Sequence, residues 1–413
     1  MTMTDSSLPA LDPGMIECPF PAYKSLRDNA PVVELAAGIF FVTCFDDVVH
    51  ILKDTDTFSS RAPLNPFSWF GPAENQDELD DILSDCPEIP TLLDNDPPEQ
   101  TRVRGLVNKV FTAAKVKALE PQIAAVVDDL SAGWIGRGHV EFAGDFARLL
   151  PATVTAHALG ADPSMRDKLL FWADEIMSRT AGPQSRQRQA EVARHIAEMS
   201  DYFLGLIRQR RADPRDDLIS LLAKAELDGH RLTDVQIVNV AKTFLVGGNE
   251  TTMFMLTSAW HRLATEPSVE KSLRDSPDLI APFIEEILRL EAPAQGIPRF
   301  PTRDTEIRGT SIPKGSTVFL MYGSANHDES VFPEPEELVL DRRSRTGTKP
   351  HLAFGLGAHF CLGAQLARAE GRIALERLLP QMANIALSVD NPPQRNPNPM
   401  LRGFLRLDLT FGG

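Results

Sequence analysis

Cysteine is scarce in this chain, and the four present, Cys18, Cys44, Cys86 and Cys361, stand far apart. With no Cys-x-x-Cys pair, a zinc site and a redox dithiol are both disfavoured, and a reducing compartment fits. No stretch approaches the roughly 18 uninterrupted apolar residues of a membrane span. The start, Met1-Thr2-Met3-Thr4-Asp5-Ser6-Ser7, lacks the positive and apolar regions of a secretory signal, so a soluble cytoplasmic protein is expected. Positive charge is in deficit: 42 Lys and Arg stand against 57 Asp and Glu, a formal net charge of −15. That argues against nucleic acid or an anionic membrane as a general partner. Linkers rich in Pro, Gly and Ser, internal repeats and abrupt composition shifts are missing too, so residues 1–413 read as one folding unit. Apolar material is plentiful, and 43% hydrophobic residues suffice for a large core.

Periodicity gives a mainly α protein with small β-sheets at the chain's two ends, an α+β organisation with an α-rich body and a smaller β-containing lobe. The first 30 residues read as irregular. Pro31 to Leu35 and Ile39 to Thr43, separated by Ala36-Ala37-Gly38, predict a hairpin. Helical patterns run from about Asp47 to Leu290, and extended segments return at Ile297 to Phe300, Thr317 to Tyr322 and Phe404 to Thr410. One helix stands out, from about Asp234 to Thr265. Thr233 and Gln236 form a capping box, Leu232 can staple onto Ile237, and Glu266-Pro267 stops it. Its centre, Phe244 to Leu256, is apolar on nearly every face and predicts burial. Gly247 and Gly248 inside it cost roughly 1 kcal/mol each relative to alanine. They serve either close helix packing or a ligand that must touch the backbone. Glu250 favours the second, because a carboxylate is rarely placed in an apolar helix centre without a partner or a job.

The most specific stretch is Phe354-Gly355-Leu356-Gly357-Ala358-His359-Phe360-Cys361-Leu362-Gly363. It sets a cysteine in a glycine-rich loop that opens into a helix-forming sequence. Amide N–H groups and the positive dipole end at a helix start favour a deprotonated sulfur, and glycines let a flat ligand lie against the backbone. A lone intracellular cysteine is more often a small buried hydrophobe. Read as Phe-Gly-x-Gly-x-His-x-Cys-x-Gly, however, six of ten positions are fixed, a chance match on the order of one in a million.

The run resembles the haem-binding loop of the cytochrome P-450 family. That resemblance implies the P-450 fold, a long central helix over haem b, Cys361 as the metal ligand, and Phe354, Gly355, His359 and Gly363 as its cofactor-binding surroundings. A thiolate ligand favours O–O cleavage over reversible oxygen binding, so O2 is implied as co-substrate. Gly247-Gly248-Asn249-Glu250-Thr251 is similar to the family's acid–alcohol segment, which implies proton-handling roles for Glu250 and Thr251. The plainer reading of Thr251 is a hydroxyl bonded back to a carbonyl one turn earlier. Glu286-Ile287-Leu288-Arg289, with Arg342 from Asp341-Arg342-Arg343, resembles the family's buried Glu-Arg network and implies a structural role. Arg104, Arg299, His351 and His359 are implied as propionate ligands, with Gln100 standing where many members have histidine.

By family position the substrate pocket is lined by Phe67, Trp69 and Phe70 in the Pro63 to Phe70 loop, by Phe244, Leu245 and Gly248, by Ala294, Gln295 and Ile297, and by Phe404. Gln295 and Arg402 are its expected polar handles. The activity implied is insertion of one atom of O2 into a small or medium hydrophobic molecule by a monomeric haem-thiolate monooxygenase. With no reductase fused, electrons are expected from a ferredoxin served by an NAD(P)H-dependent reductase. Arg102, Lys109, Lys115, Lys117, Arg345, Lys349, Arg368 and Arg372 are its expected basic docking face. A peroxide-driven peroxygenase or decarboxylase, a haem electron carrier or sensor, and a non-haem lyase or isomerase are the competing classes.

Overall fold

A computed structural model of the protein describes residues 13–61, 75–179, 184–344 and 349–412. Helix dominates, and the strands gather into small sheets, the largest with five strands. The predicted hairpin forms as Val32–Ala36 against Ile39–Val42, with Val32 opposite Val42. The second strand then pairs in parallel with Thr317–Leu320, which pairs with Ile297–Pro301, and Phe58–Ser59 closes the far edge. Strands some 260 or more positions apart in the chain thus share one sheet.

The central helix runs Asp234–Thr265, 32 residues, or ~48 Å. Its N-terminus is held reciprocally: the Gln236 amide donates to Thr233 Oγ1 at 3.2 Å, and the Thr233 amide donates to Gln236 Oε1 at 2.9 Å. Leu232 and Ile237 are both buried beside it. Phe142 stacks on Trp260 at 4.6 Å in the large helical core around this element. A second apolar cluster, with Val42, Val48, Phe58, Val318 and Phe332, lies on the five-stranded sheet.

Two expectations are corrected. From residue 13 onward the N-terminal stretch is not irregular, because Pro13–Glu17 is helical and Phe20–Asn29 is a helix burying Phe20, Tyr23 and Arg27. Arg27 interrupts the apolar stripe, yet its guanidinium donates to the Ser324 carbonyl at 3.1 Å and the His327 carbonyl at 2.8 Å, so a charge is sealed where the pattern shows none. Phe404 to Thr410 is not one strand either. Phe404–Arg406 pairs with Gln394–Arg395, whereas Asp408–Gly412 lies between Ala383–Leu387 and His139–Glu141. The chain changes sheets at Leu407, whose amide donates to Glu141 Oε1 at 2.8 Å. Leu405 is therefore 46% exposed while Leu407 and Leu409 are fully buried.

Candidate active site

The cysteine loop is built by its glycines and its backbone hydrogen bonds. The Gly355 amide donates to the Leu352 carbonyl and the Cys361 amide to the Phe354 carbonyl, both at 2.8 Å. Gly355 and Gly357 have φ of +65° and +74°, a region that a side chain enters with strain. A Cβ at Gly357 would also stand 3.1 Å from the Leu52 carbonyl oxygen. The chain then enters helix Ala364–Leu378 through Gly363.

Cys361 is accessible to solvent yet closely surrounded by protein. Burial accordingly pushes its thiol up, against the opposing influence of the Gly363 amide, the charges of Arg104 and Arg368, and the Ala364 amide. A metal cation would reverse that balance, since a coordinating thiol is deprotonated outright. Among the described residues no group of three or more His, Cys, Asp and Glu is placed to hold a metal. An ion at Cys361 needs the rest of its ligands from a cofactor.

The surrounding cations fit an anionic one. Arg299 is 3% exposed, its guanidinium donates to the Pro298 carbonyl at 2.8 Å, and burial lowers its pKa. Arg104 donates to the Phe360 carbonyl in the cysteine loop. Neither has an ion-pair partner among the described residues. A buried guanidinium such as that of Arg299 is costly unless paired with an anion, and the two carboxylates of a haem would supply one for it and one for half-buried Arg104. His351 and His359 are placed differently. His351 Nε2 lies 3.4 Å from Glu285 Oε2, and Arg368 holds the same carboxylate at 2.6 Å while its guanidinium covers the Phe354 ring at 4.5 Å. The His359 ring spans the Leu92 carbonyl at 3.1 Å and Ser60 Oγ at 3.0 Å, and burial lowers its pKa to about 4. Both rings therefore have protein partners as well.

On the central helix, Phe244, Gly247 and Thr251 form a partly open stripe, whereas Leu245 and Asn249 are buried. The two glycines differ in purpose. A Cβ at Gly248 would stand 3.2 Å from Thr155 Oγ1 of helix Leu149–Leu159, while one at Gly247 meets nothing within 4 Å. Gly248 serves helix packing, and Gly247 is the backbone a ligand can reach. Thr251 Oγ1 donates to the Gly247 carbonyl at 2.8 Å. Glu250 Oε2 is buried without a hydrogen-bond partner among the described residues. Burial and the charge of Asp174 push its pKa up to about 7, partly offset by Arg148.

The expected pocket wall needs correction. Leu245 is fully buried in the core. Phe404 is 2% exposed and stacks on His261 at 4.4 Å. Gln295 spends its amide internally: Tyr23 donates to its Oε1 at 3.1 Å, and its Nε2 donates to the Ala292 carbonyl at 2.8 Å. Arg402 is bound to Glu291 at 2.8 Å. Neither is a polar handle. Phe244, Ala294, Ile297 and Leu401 remain partly accessible. Phe67, Trp69, Phe70 and Arg345 lie outside the described residues.

Glu286, Arg289 and Arg342 come together as one buried network. Both Glu286 oxygens accept from Arg289 at 2.9 Å, Arg342 Nε lies 3.0 Å from Oε2, and the Val339 amide donates to it at 3.0 Å. Burial alone would raise the Glu286 pKa, but these donors hold it below the usual range. Removing one partner of such a cluster leaves buried charges unpaired, at ~3–5 kcal/mol, against a total stability of ~5–15 kcal/mol. Glu286→Ala should therefore sharply lower the melting temperature and the yield of cofactor-loaded protein. An unchanged melting curve would contradict this. The sequence gives no sign of Glu285, the residue before Glu286, because its partners His351 and Arg368 lie far along the chain and no spacing points to them.

Comparison with known proteins agrees with this architecture. The family model described as Cytochrome P450 matches residues 182–410. The chain belongs to the cytochrome P450 family. It is 34% identical to the steroid C26-monooxygenase of Mycobacterium tuberculosis, over 90% of this chain and 87% of that one. It is 33% identical to the vitamin D(3) 25-hydroxylase of Pseudonocardia autotrophica, over 95% and 94%. The solved cytochrome P450 CYP109Q5 from Chondromyces apiculatus superposes with a TM-score of 0.84 at 31% identity, covering 97% of each chain. This P450 is accordingly an oxidoreductase of the monooxygenase class that uses haem b and O2. No helix among the described residues is long and apolar enough to cross a membrane.

Proposed function

We propose that this P450 hydroxylates a hydrophobic molecule of steroid or comparable isoprenoid size, with electrons from a separate ferredoxin served by an NAD(P)H-dependent reductase. The observation that carries the substrate class is the chemistry of the accessible wall. Phe244, Gly247, Ala294, Ile297 and Leu401 offer apolar surface, while the amide of Gln295 and the guanidinium of Arg402 are consumed by protein partners. Apolar walls with few polar groups bind by area and shape. The names of relatives point the same way: besides the two hydroxylases above, CYP109E1 of Bacillus megaterium, solved with testosterone, has a TM-score of 0.82 at 28% identity, covering 96% of this chain and 99% of that one.

Cys361 would hold the haem iron, and Arg104 and Arg299 would take its carboxylates, with His351 and His359 as further candidates. When bound, haem b supplies activation of O2, so that one oxygen atom enters the substrate and the other leaves as water. The chain itself manages the protons. Glu250, poised near neutrality, is suited to give up and regain a proton at working pH. Thr251 keeps its hydroxyl aimed along the helix through the Gly247 carbonyl. The test is substrate-dependent NADH oxidation with ferredoxin and reductase, compared with turnover on peroxide alone, after steroids and smaller terpenes are ranked by their spin-state change. Turnover on peroxide alone, or no response to any steroid-sized ligand, would refute the proposal.

The expected basic docking face is largely neutralised. Arg102 pairs with Glu99, Lys115 with Asp216, Lys349 with Asp46, Arg368 with Glu285, and Arg372 with Glu120 and Glu376. Lys109 donates to the Glu226 carbonyl at 2.8 Å, and Lys117 makes no ion pair among the described residues. Steering scales with net local charge. Raising ionic strength should therefore slow reduction by an acidic ferredoxin by about threefold rather than abolish it. A loss of two orders of magnitude in a stopped-flow titration would mean that these pairs open on docking.

A further inference from the structure

Outside the site described above, the central helix buries Lys242 in a charged cluster with Glu88 and Arg179, and nothing in the reaction so far uses it. Glu88 lies between helices Gln76–Ile82 and Glu99–Val110. Its Oε1 accepts from Lys242 Nζ at 2.5 Å and its Oε2 from Arg179 Nη1 at 2.9 Å. The side chains of Glu88, Lys242 and Arg179 are 11%, 8% and 14% exposed. One turn before Lys242, Asn239 clamps the same segment. Its Nδ2 donates to the Pro87 carbonyl at 3.1 Å, and its Oδ1 accepts from the Ile89 amide at 3.4 Å. Arg179 is the C-cap of helix Arg166–Ser178. The cluster thus ties three elements together: the segment at Glu88, the central helix, and the end of helix Arg166–Ser178.

That helix also reaches Glu250. Asp174, five residues before Arg179, acts on the Glu250 carboxyl and is itself paired with Arg148. Lys242 and Glu250 are eight positions apart on the central helix, a rise of ~12 Å and a net rotation of about 80°, so both lie on the same half of it. Helix Arg166–Ser178 therefore packs on the central helix with its C-terminal end at the Glu88 cluster and Asp174 within charge range of Glu250. Two cations overcome the burial of Glu88 and hold its pKa at about 2, so the clamp stays ionised throughout the working range of the enzyme.

We propose that Glu88 is a positioning residue for Glu250: by joining Lys242 to Arg179 it holds helix Arg166–Ser178 on the central helix and keeps water from the acid. The inference rests on the proton-handling role given to Glu250 above. Without the Glu88 charge the tie between Lys242 and Arg179 is lost, the helix end loosens, and hydration returns Glu250 toward an ordinary carboxylate. The charged groups acting on Glu250 are Asp174, from helix Arg166–Ser178, and Arg148, which precedes helix Leu149–Leu159. Neither is substituted in the variants below.

The test compares pH profiles of coupled turnover for the full holoenzyme, Glu88→Gln, Lys242→Met, Glu250→Gln and the Glu88→Gln/Glu250→Gln double variant. Hydrogen exchange is followed in peptides from 166–179 and 234–256. Glu88→Gln should move the alkaline limb of turnover to lower pH by about one unit, raise exchange in both segments about tenfold, and add no shift in the Glu250→Gln background. Lys242→Met should act in the same direction and carries the test if Glu88→Gln does not fold. Raised exchange or a lower melting temperature with an unmoved limb would overturn the proposal, because a merely structural clamp gives that result. A wild-type limb in Glu250→Gln would instead overturn the role of Glu250, and the positioning role with it, while raised exchange in Glu88→Gln would still show the clamp.

Discussion

Replacing Cys361 by serine should abolish turnover and erase the thiolate signature of the bound haem. The reduced, carbon monoxide-treated wild-type protein should show the red-shifted Soret band of a thiolate ligand, and Cys361→Ser should lack it. The expectation follows from how the loop is built. The Cys361 amide is committed to the Phe354 carbonyl at 2.8 Å, and the sulfur is the accessible soft ligand, with the Gly363 and Ala364 amides and the charges of Arg104 and Arg368 favouring its ionised form. A serine hydroxyl at the same place keeps the loop geometry but ionises far less readily and binds iron weakly. Glycines at 355 and 357 and the Arg368 guanidinium over Phe354 do not depend on the sulfur. The variant should therefore fold with a melting temperature close to that of wild-type protein freed of haem. A red-shifted band surviving in Cys361→Ser would place the iron ligand elsewhere.

The loop was legible in the sequence because all its determinants lie within ten residues: the glycines that need positive φ, the cysteine, and the helix that follows. The capping box at Thr233 and Gln236 was legible for the same reason, and the central helix begins and ends at the residues its signals mark. What escaped was decided over long separations. Arg27 is sealed by carbonyls some 300 positions away, so a buried helix looked irregular. Glu88 finds Lys242 and Arg179 only in the folded chain. On the central helix the pocket wall turns on helical phase: one position separates buried Leu245 from partly open Phe244, and packing against Thr155 decides that Gly247 rather than Gly248 faces outward. Phe404 was displaced by the change of sheet at Leu407, which alternation of leucines cannot reveal.

The acid and the alcohol of the central helix should fail in different ways when removed. Thr251→Ala deletes the hydroxyl held at 2.8 Å from the Gly247 carbonyl but leaves Glu250 and the apolar wall intact. Substrate binding and NADH consumption should therefore continue, with reducing equivalents lost as hydrogen peroxide instead of product. Glu250→Gln keeps the shape but removes the exchangeable proton, so consumption itself should slow by ~10²–10⁴, and the remaining rate should lose its pH dependence near neutrality. The same substitution has a stability consequence of definite sign. Because burial and Asp174 raise the folded pKa of Glu250 from 4.5 to about 7, the folded state favours the protonated carboxyl. The stability from that preference is complete below 4.5 and is lost as pH rises through about 7. A glutamine cannot ionise and escapes the loss, so Glu250→Gln should melt higher than wild type above neutral pH and alike well below the ordinary carboxylate range. Thermal unfolding across that interval, measured beside NADH and peroxide assays, separates the two roles. Wild-type coupling in both variants, together with parallel melting curves at every pH, would remove Glu250 and Thr251 from the chemistry.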